Sequence, residues 1–147
     1  RGRYMRFGEV SEDSNDVSSG RWEIWQAGMK MIIARPVLGV GAGAFPWAYA
    51  SGQFGPARFM EPHNVYIQVA ATTGVIGTAL WVTFLVALFK SLKRIAATAR
   101  YRPEVGWAMP YRNGLLLVLI GLMVAGMFGH SLFRYTWYMA AAMTVAL

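Results

Sequence analysis

Glu61-Pro62-His63-Asn64-Val65-Tyr66-Ile67-Gln68 opens the stretch that decides the fold, because no residue from Val65 to Phe89 is charged. Those 25 residues would rise roughly 37 Å as a helix, more than the hydrocarbon core of a bilayer at about 30 Å. The sequence therefore predicts a membrane span over 63–89. Pro62 suits the first helical position, which would put His63 in the first turn at the water boundary. Ala70, Gly74 and Thr78 recur at four-residue steps, as do Thr73 and Gly77. Small residues so spaced predict a seam where another helix approaches closely.

Toward the C-terminus the run ends at Lys90. Residues 90–112 hold Lys90, Lys93, Arg94, Arg100, Arg102 and Arg112 against one acid, Glu104. Basic residues in a short loop between apolar segments mark the cytoplasmic side, so 90–112 is expected to be a cytoplasmic loop. A second span is expected over 113–133, with Gly121, Ala125 and Gly129 as another packing seam. It returns to the outer face at His130 and Arg134, where Tyr135, Trp137 and Tyr138 form an expected aromatic belt. A further span, over 137–147, would be cut short at Leu147.

Toward the N-terminus, residues 1–62 become a periplasmic loop by the same topology. Residues 1–20 are polar and rich in serine, as a connector is. Residues 20–35 predict a short amphipathic helix, capped by Ser18 or Ser19, with Glu23 in its first turn. Trp22, Trp25, Met29, Ile32 and Ile33 recur at three- and four-residue steps. The helix is too short and too charged to span, so it is expected at the membrane interface. Pro36 stops it. Gly39-Val40-Gly41-Ala42-Gly43 invites comparison with a phosphate loop, but no strand precedes it and no Lys-Ser/Thr pair closes it. A tight turn back to the membrane is the better expectation.

Composition agrees. Of 147 residues, 56% are hydrophobic and 14% charged, against about a quarter charged in soluble domains. The net charge of +7 is explained by loop placement and gives no reason to invoke nucleic acid. With no cysteine, disulfides, thiol nucleophiles and thiolate metal sites are excluded. The chain opens on Arg1 and stops inside an apolar run, so a fragment of a longer protein is expected. The fold class is all-α: a polytopic membrane helix bundle with an extracytoplasmic loop carrying one short helix.

Topology gathers Arg21, His63, His130 and Arg134 on one side of the membrane. His63 at a helix start would be favoured as the neutral imidazole by the helix dipole, and free N–H groups there would suit an anion such as phosphate. Two histidines with no adjacent carboxylate make a poor metal set, so neither metal nor cofactor is expected. No acid is placed to orient His63 in a Ser/His/Asp arrangement.

Arg21-x-x-x-Trp25, then Met31-Ile32-Ile33-Ala34-Arg35-Pro36-Val37-Leu38-Gly39-Val40-Gly41-Ala42-Gly43-Ala44-Phe45, resembles a stretch of the O-antigen ligase superfamily. So does Pro62-His63-Asn64-Val65-Tyr66-Ile67-Gln68 with Thr73-Gly74-Val75-Ile76-Gly77. The resemblance covers residues 20–90 and implies a multi-pass protein of the bacterial inner membrane with a periplasmic active face. It implies transfer of a glycan from an undecaprenyl-diphosphate carrier to a hydroxyl of a glycan or lipid acceptor. Arg21 would contact the diphosphate, and His63 would activate the acceptor or steady the leaving group. Asn64, Arg35, His130 and Arg134 are the further expected substrate-binding residues. The sequence departs from the superfamily pattern in having Thr72 or Thr73 in place of the acid usual shortly before the Gly-x-x-Gly. A polymerase of the same superfamily is the alternative. A non-enzymatic transporter or assembly subunit is the alternative from another class, disfavoured by spans free of charge.

Overall fold

The computed structural model describes residues 16–129 and 135–147. Five α-helices account for most of them: α1 (Asp16–Ala34), α2 (Phe45–Ala50), α3 (Val65–Tyr101), α4 (Ala108–Ala125) and α5 (Tyr135–Ala146). No strand occurs among the described residues. The expected all-helical class is observed, and α3 and α4 are each long and apolar enough to cross a membrane.

Two separate cores hold these helices. The first joins α1, α2 and the start of α3 through Ile24, Ala27, Met31, Phe45, Tyr49, Phe54 and Ala71. The second joins the far half of α3 to α4 and α5 through Leu88, Leu92, Leu115, Leu119 and Ala140. In the first core, outside the apolar spans, each fully buried large side chain contributes roughly 1.5–3 kcal/mol of transfer free energy; in the second, packing between helices takes that place. Between and around the cores, Val75, Leu80, Leu117 and Val124 stay exposed. Such a surface is unfavourable in water and is solvated by lipid in a bilayer. The chain is that of a membrane protein.

α1 has two apolar lines on opposite faces. Ile24, Ala27, Gly28 and Met31 face the protein, and a Cβ on Gly28 would meet Ile67 and Phe45. Trp22, Met29 and Ile33 form the other line and are exposed. Of the residues expected on one face, Trp22, Met29 and Ile33 are exposed, whereas Trp25 and Ile32 are half-buried; the fully buried line is built mostly of smaller residues. Ser18 and Ser19 lie inside α1 rather than capping it. The helix ends before Pro36, whose ring disfavours helical geometry in the preceding residue.

α3 is longer than the expected span. Between Lys90 and Tyr101 there is neither glycine nor proline, and Lys, Arg, Leu and Ala are good helix formers. Lys90, Lys93, Arg94 and Arg100 therefore ride on α3 instead of in a loop. Pro103 ends the helix, a 3-10 turn covers Pro103–Val105, and α4 starts at Ala108. α4 stops at Ala125, short of the expected 133, and its C-terminal turn packs on the start of α3. The Val65 N–H donates to the Gly126 carbonyl at 2.7 Å. The two helices are thus antiparallel neighbours.

Among the described residues, no helix packs on Gly121 of the seam expected in α4. A Cβ on Gly121 would meet nothing within 4 Å, whereas one on Gly126 would meet Val65 Cγ1 at 2.6 Å. Trp137 is buried against Trp81, with ring centroids 6.1 Å apart. Tyr138 is exposed.

Gly74 is not a helix–helix contact either. It breaks α3 with φ 63° and ψ −163°. A regular helix would bond the Val75 N–H to the Ala71 carbonyl and the Ile76 N–H to the Thr72 carbonyl. Here Val75 donates to Pro36 O at 2.8 Å and Ile76 to Val37 O at 3.4 Å. The freed Ala71 and Thr72 carbonyls accept from Val40 N at 2.9 Å and Gly41 N at 3.0 Å. The glycine run after α1 is therefore laced into the break in α3. Only glycine fits the crossing, since a Cβ on Gly39 would strike Thr72 and Thr73 backbone, and one on Gly74 would strike Val37.

Candidate functional site

The turn entering α3 is fixed on both flanks. Asn64 is the N-cap: its Oδ1 accepts from Tyr66 N at 3.0 Å and Ile67 N at 3.1 Å. Its Nδ2 donates to Met127 O at 3.3 Å, so one side chain ties the helix start to the turn after α4. Tyr66 adds a second tie, its hydroxyl donating to Met123 O at 2.8 Å. On the other flank Pro62 is fully buried, and its carbonyl accepts from Trp25 Nε1 at 2.9 Å.

His63 lies between these anchors with φ 46°, the one non-glycine residue at positive φ among those described. Such a conformation costs on the order of 1–3 kcal/mol and persists where the surroundings enforce it. Its side chain is exposed. Pro62 is thus not the first helical residue, and His63 precedes the N-cap instead of occupying the first turn. The expectation of free helix-start N–H groups is also corrected. Val65 N is taken by Gly126 and the next two by the Asn64 side chain. An anion here has to rely on side-chain cations.

Arg21 supplies one. It is exposed on α1, one turn before Trp25 and on the same helix face. Trp25 is bonded to the residue preceding His63, so α1 is tied to the His63 turn about one helical turn beyond Arg21. Arg35 is not brought to them. It sits 14 residues beyond Arg21, roughly 21 Å along the helix. There it lines a separate cleft of about 260 Å³ with Val40, Ala48, Ser51, Gln53 and Phe54. Asn64 is buried and its amide engaged at both ends. His130 and Arg134 lie outside the described residues.

Two contributors were not apparent in the sequence. Trp25 stood out as an aromatic anchor, but nothing local indicated that its indole would hold Pro62. α2 was unexpected, its Phe45-Pro46-Trp47-Ala48-Tyr49 hidden in a glycine-rich region. Tyr49 from α2 is buried beneath α1. Burial pushes its phenol above the usual value, Glu23 adds to the rise, and Arg58 opposes it. Thr72 and Thr73, standing where an acid was expected, turn inward on their own helix. Their hydroxyls donate to Gln68 O at 2.6 Å and Val69 O at 2.8 Å.

A family model described as O-antigen ligase matches residues 1–82, more than half of the 147 residues. The match covers α1, the laced glycine segment, α2 and α3 past its break. No curated protein and no solved structure matches the chain. That match over more than half of its length shows that the chain belongs to the O-antigen ligase family.

Proposed function

We propose that the protein is a membrane glycosyltransferase that moves a glycan from an undecaprenyl-diphosphate carrier to an acceptor hydroxyl, with its active face periplasmic. The observation that supports this reading is the Trp25–Pro62 hydrogen bond, which ties the helix carrying Arg21 to the residue before His63. His63 accepts the proton of the acceptor hydroxyl. The acceptor oxygen attacks the anomeric carbon, and the bond from that carbon to the phosphate oxygen breaks. The diphosphate leaves with its negative charge, which Arg21 neutralises; a guanidinium suits this task because its fork matches phosphate oxygens. The diphosphate is already a stable anion, so the leaving oxygen requires no strong acid. Asn64 serves as a positioning residue, holding the turn that presents His63, and Arg35 serves the glycan or carrier further along the surface.

A broken helix is also a transporter feature. In transporters the freed backbone groups line a passage. Here those of Ala71, Thr72, Val75 and Ile76 are consumed by residues 36–41, which favours a structural role for the break. The test is glycan transfer in cells lacking the native gene, complemented with the complete gene carrying His63→Ala. Transfer is expected to be lost at normal expression. Full transfer would overturn the role given to His63.

A further inference from the structure

At the end of the bundle away from His63, charge and shape combine. Lys90, Lys93, Arg94 and Arg100 line the last turns of α3, Arg102 follows, and Glu104 is the one acid in 90–112. A small cleft of about 180 Å³ opens between α3 and α4, with Arg94 and Thr98 on one wall and Trp107 on the other. Trp107 is also a wall of a larger groove of about 590 Å³ between α4 and α5. Tyr111, Leu115, Val118 and Met143 line that groove, which is apolar nearly throughout. The Trp107 and Tyr111 rings meet edge to face at 6.3 Å, and both are exposed. Arg112 is committed elsewhere, with Nε donating to Leu92 O at 3.2 Å and Nη1 to Asn113 Oδ1 at 2.8 Å. Arg94 is the basic residue that lines the small cleft.

A cation beside an indole, with an apolar slot running from the same indole along the helices, is complementary to one class of molecule. We propose that this end of the protein holds an anionic phospholipid. Its phosphate rests against Arg94 and Thr98, and an acyl chain lies in the α4–α5 groove. Charge complementarity selects the anionic headgroup: a basic residue at a membrane surface is worth about 1 kcal/mol toward anionic lipid, about fivefold in affinity. Trp and Tyr at such a boundary match the headgroup level. This inference is independent of the transfer chemistry, since none of these residues is near Arg21 or His63 in the fold.

The test uses the complete protein, stripped of lipid in detergent and titrated with phosphatidylglycerol or phosphatidylcholine, with retained lipid counted by native mass spectrometry. Phosphatidylglycerol is expected to be retained in preference. Arg94→Gln is expected to weaken it about fivefold and to reduce the headgroup preference by the same factor. Gly114→Leu provides a second variant: Gly114 lines the groove and a Cβ there meets nothing within 4 Å. The added side chain occupies the slot and is expected to abolish retention of both lipids. Equal retention of the two lipids by the unaltered protein would overturn the proposal. So would retention unaffected by either variant, a groove closed by another helix of the same chain with no lipid retained, or a dimer that Gly114→Leu dissociates.

Discussion

Replacing Gly74 with alanine tests how the site is built, because the glycine run and α3 hold each other through it. Two outcomes are open to the variant. The break could persist, with alanine forced into φ 63°, ψ −163° and its Cβ against Val37. Backbone strain of that kind costs on the order of 1–3 kcal/mol. Alternatively α3 could straighten. It would regain two helical hydrogen bonds, Val75 to Ala71 and Ile76 to Thr72, and lose the four made with Pro36, Val37, Val40 and Gly41. A net loss of two bonds at about 0.5–1.5 kcal/mol each again gives about 1–3 kcal/mol. Either way local opening rises about fivefold to a hundredfold. Hydrogen exchange followed by mass spectrometry reads this directly at the Val40, Gly41 and Val75 amides, which should lose protection together. Gly121→Ala is the matched control. Its Cβ meets nothing within 4 Å, so it should be neutral or stabilise by about 0.5–1 kcal/mol. Unchanged protection in Gly74→Ala would refute the reasoning.

Asn64→Ala should cost about 1–3 kcal/mol, from a lost cap and the lost bond to Met127. Asn64→Asp keeps the cap and should fall between the two in a thermal melt. Trp25→Phe should cost about 0.5–1.5 kcal/mol and reduce glycan transfer more than it reduces the amount of folded protein, since the Pro62 carbonyl loses its donor. The raised phenol of Tyr49 gives a pH signature. Its stabilising contribution is complete below the ordinary tyrosine value near 10 and is lost as pH rises through the higher folded value. Melting curves from pH 8 to 12 should show an alkaline loss that Tyr49→Phe diminishes.

Much of the helix content was legible because it rests on local composition. An uncharged run announces α3, and leucine-rich sequence announces α4. Pro36 and Pro103 end helices for reasons internal to the chain. What escaped was set by distant partners. The Gly39–Gly43 run was expected to turn; that it would pair with a break 30-odd residues later depends on Gly74, whose spacing fits a helix seam equally well. Basic residues mark sidedness, not conformation, so their helical placement on α3 was missed. At the site, the placement of His63 beside a capping Asn64 depended on Asn64 being a better cap than Pro62 is a first helical residue. Arg21 and His63 were paired through motif and topology. The bond that brings their segments together comes from an indole 37 residues from its acceptor.

The central claim is that Arg21 and His63 act at one site, Arg21 on the carrier diphosphate and His63 on the acceptor hydroxyl beside it. The 147 residues include no cysteine, so Arg21→Cys and His63→Cys each add one reporter thiol, placed in the complete protein with any other cysteine changed to serine. The direct measurement is labelling of both thiols with a membrane-impermeant maleimide in spheroplasts, with and without undecaprenyl-diphosphate-linked glycan. The account predicts that both react from the outside and that the carrier-linked glycan protects both. Labelling from opposite sides of the membrane, or protection of one thiol alone, would contradict it.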